Sequence, residues 1–137
     1  QESLRIAGVL HDVGKIAVPD SILLKAGKLT DEEYLIIKNH PTIGENILKP
    51  MILLEKERLI VQCHHERWDG KGYPLGLKGH DIPLLARILS VVDSFDAMTN
   101  NRPYRPAMSR ETAIQELLTN INTQFDPDIV HAYIKIH

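Results

Sequence analysis

One cysteine, Cys63, stands in a chain of 137 residues. An internal disulfide is therefore excluded, which fits a reducing compartment, and a lone thiol beside His64 reads as a small buried residue rather than a metal ligand. Charge of one sign is also missing: 16 Lys and Arg stand against 18 Asp and Glu, for a formal net charge of −2. No overall basic field exists to hold a DNA or RNA polymer or an anionic membrane surface. No apolar run approaches the roughly 18 residues that a membrane-spanning helix needs, and no secretory leader precedes the first apolar segment. A soluble, cytoplasmic domain without membrane contact is expected. Pairs of alternating runs joined by a two-residue hairpin turn are absent as well, as are internal repeats and low-complexity tracts.

What remains is helical. With 43% hydrophobic residues, a chain of this length buries roughly two thirds of its unfolded surface, enough for one domain over residues 1–137 without staples. The fold class read from the punctuation is all-α. A first helix ends near Leu10 and delivers His11 and Asp12, with Gly14 as its stop. Thr30-Asp31-Glu32-Glu33 is a capping box for a helix to about Asn39. His40 precedes Pro41, which predicts a joint between helices with the His40 backbone pushed out of α geometry. Ile43, Ile47 and Leu48 are expected to face inward. A further helix from about Leu53 to His65 follows, then a long irregular stretch between Trp68 and Pro83 carrying Gly70, Gly72, Gly76, Gly79 and Pro74. Irregular loops of that length are usually functional. Beyond it, Leu84, Ile88, Leu89, Val92 and Phe95 are expected to pack inward on one helix, Ser109 to cap another through Asn120, and Asp126-Pro127 to open the last.

Against this apolar background, His11, Asp12, His40, His64, His65 and Asp93 recur at irregular intervals. Imidazole and carboxylate bind divalent iron, manganese, nickel or zinc without thiolate, and six such groups exceed what one ion needs. The surplus points to two or more ions sharing a bridging carboxylate and water, the arrangement that splits phosphate esters. Two neighbouring histidines on a helix diverge by about 100°, so His64 and His65 serve one site only if the ions lie between them or the helix unwinds there. Glu66, Asp69 and Asp96 are candidate partners for the histidines or Arg67. Trp68 reads as a loop anchor, and His80, His131 and His137 as surface residues.

His11-Asp12-Val13-Gly14-Lys15 resembles the signature of the HD superfamily of metal-dependent phosphohydrolases. The stretch from His64 to Pro74, HHERWDGKGYP, is similar to the long motif of the HD-GYP subgroup. Asn39-His40-Pro41, the segment from Ile82 to Ile88, Val92 to Ala97, and Arg102-Pro103-Tyr104-Arg105 match it in order. The resemblance implies a helical bundle with a long Gly/Pro-rich loop and a phosphodiesterase of cyclic di-GMP giving pGpG or GMP. It implies His11, Asp12, His40, His64, His65 and Asp93 as ligands of two or three divalent ions, iron or manganese first, nickel or zinc as alternatives. Asp12 and Asp93 would bridge, Asp12 and Lys15 would be catalytic, and Lys15, Tyr73, Arg102 and Arg105 would bind substrate.

Docking of a GGDEF-domain protein through the Gly-Tyr-Pro loop and a homodimer are further expectations. Family members carry an upstream helix that supplies another ligand, so a domain trimmed at its amino end is expected. A sensor or docking module without turnover, or a phosphohydrolase of another guanosine or cyclic nucleotide, are the competing readings.

Overall fold

The protein is described here by a computed structural model covering residues 1–101 and 106–136. Its helices are α1 (Glu2–Leu10), α2 (Asp20–Leu23), α3 (Asp31–Lys38), α4 (His40–Leu48), α5 (Glu55–Cys63), α6 (Leu84–Thr99), α7 (Arg110–Thr119) and α8 (Pro127–Ile136). Short 3₁₀ turns at Val13–Ala17, Ile52–Leu54 and Gly79–Asp81 link them. Among the described residues the only β-type pairing is an isolated bridge between Ile121 and Phe125. The all-α reading holds.

Local chemistry sets the helix starts. The Thr30 side chain accepts from the Glu33 amide at 3.2 Å while the Glu33 carboxylate accepts from the Thr30 amide at 2.7 Å, so two otherwise unpartnered donors are satisfied at once. Ser109 accepts from the Thr112 amide, and Asp126 accepts from the Asp128 amide ahead of α8. All three starts fall where the residues predict them.

Helix α6 is the spine. One core of Ala7, Ile60, Cys63, Ile82, Ala86 and Leu89 joins α1, α5 and the first half of α6. A second, of Val91, Leu117, Phe125 and Val130, joins its other half to α7 and α8. Burial pushes the Cys63 thiol up to about 11, so the residue packs as a small apolar group and stays a thiol. Arg87, on the same helix, ion-pairs with Asp126 at 2.5 Å and donates to the Ile82 carbonyl at 3.0 Å, fastening α6 to the start of α8.

Several expectations need correction. Gly14 does not stop α1, which ends at Leu10; it lies inside the first 3₁₀ turn, pressed on α4. A Cβ there would stand 2.6 Å from the Gly44 nitrogen and nearer still to the His40 carbonyl oxygen. Its absence is what lets the segment after Asp12 lie flat on α4. His40 does mark a joint, yet it is the first residue of α4, because Asn39 keeps right-handed helical angles (φ −81, ψ −12) and absorbs the change of direction. Helix α5 runs from Glu55 to Cys63, not from Leu53 to His65. Ile47, Leu84 and Val92 are exposed, at 37%, 55% and 39%. Each lies on the apolar period, but among the described residues no element covers that side of its helix.

Candidate metal centre

Four elements deliver the six grouped residues to one place. His11 and Asp12 follow α1, His40 starts α4, His64 and His65 follow α5, and Asp93 lies on α6. The problem of two adjacent histidines is solved by unwinding: α5 ends at Cys63, and the two rings come within 4.1 Å centre to centre. His40 and His64 are buried, and the Asp12, His40, His64 and His65 donor atoms all lie within 4.8 Å of one another. His11 Nε2 stands 3.5 Å from Asp12 and 3.6 Å from Asp93.

The tautomers follow from the backbone. His11, His40 and His64 each place Nδ1 2.6–2.7 Å from the carbonyl oxygen three residues earlier, on Gly8, Ile37 and Val61. A carbonyl can only accept, so each Nδ1 carries the proton and each neutral ring offers a lone pair at Nε2. Those lone pairs converge. His40 Nε2 faces His64 Nε2 at 3.4 Å and Asp12 Oδ1 at 3.3 Å, three acceptors with no proton to share unless a ring is charged. Such a cluster is unfavourable without a cation in its midst. The donor set therefore fits one or more divalent ions held by imidazole and carboxylate, and the carbonyls behind the rings serve as the orienting shell such ligands need.

The electrostatics agree. Burial is the largest influence on Asp12 and pushes its carboxyl up, but the neighbouring His40 ring and the Lys15 ammonium overcome it and hold the group well below the usual carboxylate range. Asp93 is lowered chiefly by His11, and His11 is raised chiefly by Asp93. Burial, reinforced by neighbouring imidazoles, drives His64 down to about 4 and His65 to about 3. Both are neutral, with lone pairs available, at any physiological pH.

Around the cluster, Lys15 Nζ lies 2.7 Å from Asp12 and is about one-third exposed. Tyr73 stacks on His65 with ring centres 4.9 Å apart and donates its amide to the His65 carbonyl. Gly72 makes this approach possible, since a Cβ there would stand 2.6 Å from the His65 carbonyl oxygen. Arg102 and Arg105 lie outside the described residues. A polar cavity of about 160 Å³ opens beside His65 and Asp93, with Arg67, Ser90, Ser94 and Gln124 on its walls.

The loop's acidic residues have other partners than expected. The Glu66 carboxylate, 3% exposed, accepts from the Leu75 and Leu77 amides at 2.6 and 3.0 Å and so pins the loop rather than a histidine. Asp69 does orient Arg67, through contacts of 2.8 and 3.1 Å, and its carboxyl is held down at about 2 by that guanidinium. Asp96 is exposed and accepts from Asn100, one turn away. Trp68 anchors the loop, its amide donating to the Gln124 carbonyl and its ring meeting His80 edge-on. His80 is exposed yet tied in by this contact and by Arg87 at 3.1 Å; His131 is a surface residue, and His137 lies outside the described residues. Sequence reasoning missed Lys38, whose Nζ stands 4.9 Å from the Tyr73 ring centre and 5.3 Å from that of Tyr34. The Tyr34-to-Lys38 spacing of four on a helix was its only local signal.

Imidazoles and carboxylates converge on a helical bundle, with a lysine at the rim, in a donor set fit to hold divalent ions. The chain belongs to the HD domain family: that family's profile matches residues 1–129, and residues 64–74 carry the HD-GYP form of it. The chain is 46% identical over 137 residues to a cyclic di-GMP phosphodiesterase of Thermotoga maritima, covering 97% of this chain and 37% of that protein. It is 39% identical over 136 residues to a 3'3'-cGAMP-specific phosphodiesterase of Vibrio cholerae, covering 98% of this chain and 26% of the relative. The chain thus spans about a third of the length of such relatives. A crystal structure of a cyclic GMP-AMP specific phosphodiesterase from V. cholerae superposes with a TM-score of 0.70 at 21% identity, covering 98% of this chain and 37% of that one. The shared fold is the HD bundle.

Proposed function

We propose that this chain is the catalytic domain of a metal-dependent phosphodiesterase that hydrolyses cyclic di-GMP to pGpG and/or GMP. The observation that carries the reading is the set of Nε2 lone pairs and carboxylate oxygens turned to one point by carbonyls of the protein's own backbone. His11, Asp12, His40, His64, His65 and Asp93 would hold two or more divalent ions, iron or manganese. Bound there, the ions would supply Lewis-acid charge and lower the pKa of a water from 15.7 toward about 7.

The chain's own residues set the rest of the chemistry. Hydrolysis joins a water oxygen to phosphorus, breaks the bond to the 3′ oxygen and returns a proton to that oxygen as it leaves. Lys15 engages Asp12 at 2.7 Å and retains further ammonium protons for a phosphate oxygen, since an ammonium has three to donate. That charge is useful where negative charge grows on the phosphoryl oxygens. Burial keeps Tyr73 in its phenol form, so it backs His65 as a neutral wall and can donate a hydrogen bond to the ligand. Arg102 and Arg105 would grip a phosphate or a guanine edge through the two-pronged geometry of arginine.

A second substrate reading, 3'3'-cGAMP, is supported by the 39% identity to a relative of that name. Chromatography of products from equimolar cyclic di-GMP and 3'3'-cGAMP, with chain loaded anaerobically with iron(II) or manganese(II), separates the two. Cyclic di-GMP consumed first is the expected result; 3'3'-cGAMP consumed first would reverse the assignment, and neither consumed would reject both.

A further inference from the structure

The polar cavity beside His65 and Asp93 does not end there. Ser94 and Gln124 form a wall common to it and to a second cavity of about 250 Å³ between α6 and α7. This second space is bordered by Ala97 and Met98 on α6 and by Glu116 and Asn120 at the end of α7. From the shared wall at Ser94 the cavity extends to Ala97, four residues beyond Asp93 and so about 6 Å farther along the helix at 1.5 Å per residue. With phosphate at Asp93, that step is the span of a sugar, and a base would reach the second cavity.

The lining is chemically selective. Ala97 and Met98 offer an apolar surface for a flat ring, while Glu116 has an exposed carboxylate with no ion pair or hydrogen bond of its own side chain among the described residues. The Asn120 amide nitrogen is already engaged by the Glu116 carbonyl at 2.9 Å, which leaves its oxygen as an acceptor. A site rich in acceptors suits a base edge that presents two adjacent donors. Guanine does so through its N1–H and exocyclic amine; adenine presents a bare acceptor at N1, which would oppose the carboxylate.

We propose that the α6–α7 cavity is a guanine-reading pocket, with the Glu116 carboxylate accepting from the base's N1–H and amine. It rests on the cyclic dinucleotide reading above and deepens it by naming the group that selects guanine over adenine. A paired hydrogen bond to a base edge is worth about ten- to hundredfold in discrimination, and a pocket built around such a bond rejects analogues that cannot make it.

The test compares the chain with Glu116→Ala and Glu116→Gln on cyclic di-GMP, cyclic di-AMP and the base-free diester bis(p-nitrophenyl) phosphate. For Glu116→Ala, the ratio of kcat/KM for cyclic di-GMP to that for cyclic di-AMP is expected to fall about ten- to hundredfold. The loss should lie in KM, and the ratio to the base-free diester should fall alongside. Glu116→Gln, which keeps one acceptor, should fall between. Unaltered ratios in a chain that does cleave cyclic di-GMP would overturn the pocket while leaving the functional reading in place. A chain that cleaves the base-free diester but neither cyclic dinucleotide would overturn the functional reading and the pocket with it.

Discussion

Two neighbouring regions use the same side chains to opposite ends. In the loop after α5, each carboxylate meets donors: Glu66 takes two amides and Asp69 takes a guanidinium and the Lys71 amide. In the cluster formed by Asp12, Asp93 and the histidines, Asp12 has the Lys15 ammonium on one side, but toward the centre acceptors meet acceptors, with His40 and His64 presenting lone pairs at 3.4 Å. The loop is finished by the protein alone; the cluster has the donor set that a cation would complete. A carboxylate's role is therefore set by the donors around it. Glu66 and Asp12 both stand beside a histidine in sequence, and the groups around each carboxylate part their roles.

The contrast can be broken from either side. The largest effect is expected from Asp12→Ala, which removes a ligand from the cluster: since even an outer partner of a metal ligand is worth about 10–100-fold, hydrolysis should fall by more than about 100-fold with the fold intact by circular dichroism. Next comes Gly14→Ala, whose methyl group would collide with the α4 backbone at His40 and Gly44. Overpacking of this kind costs about 1–3 kcal/mol or more, and urea denaturation should show a loss at the top of that range, with weaker metal binding because His40 is displaced. Glu66→Ala should cost about 2–3 kcal/mol by leaving the Leu75 and Leu77 amides without a charged acceptor; denaturation and metal titration together would show stability lost and metal affinity mostly kept. Equal loss of metal affinity from Glu66→Ala and Asp12→Ala would erase the distinction between the regions.

The smallest effect is one of pH. In the metal-free protein, His11 is expected to titrate above the ordinary 6.5 and His64 and His65 near 4 and 3, as followed by imidazole NMR signals. The signs differ. His11, raised in the folded state, contributes stability below 6.5 that is lost as pH rises through its folded value. His64 and His65, lowered, remain neutral while the unfolded chain takes up protons, so they destabilise the fold as pH falls from 6.5 toward 4. Metal binding should weaken first through His11, because a proton and an ion compete for its Nε2. Titration of His64 near 6.5 would mean that its ring is not desolvated as described.

How much of this was legible in the residues follows from the range of the interactions. Thr30, Ser109 and Asp126 announce helix starts because each cap is closed within three residues. The grouping of these histidines and aspartates was legible because its chemistry is unusual and its motifs are contiguous, as in HHERWDGKGYP. Gly14 was misread because its reason lies in the backbone of α4, some thirty positions on, and Glu66 because the amides it holds are nine and eleven residues away. Ile47, Leu84 and Val92 obey the helical period, yet periodicity cannot say which side of a helix its neighbours leave bare. The Tyr73–Lys38 contact and the cavity beside Glu116 join segments with no local signature at all.

Divalent ions held by the acceptor cluster and needed for turnover are the central claim. Metal content of the anaerobically loaded chain, measured by mass spectrometry beside cyclic di-GMP turnover, tests it in the unsubstituted and Asp12→Ala proteins. The account predicts two or more ions per chain, and loss of both bound metal and turnover on Asp12→Ala. Turnover that survives exhaustive chelation, or that persists in Asp12→Ala at the unsubstituted rate, would contradict it.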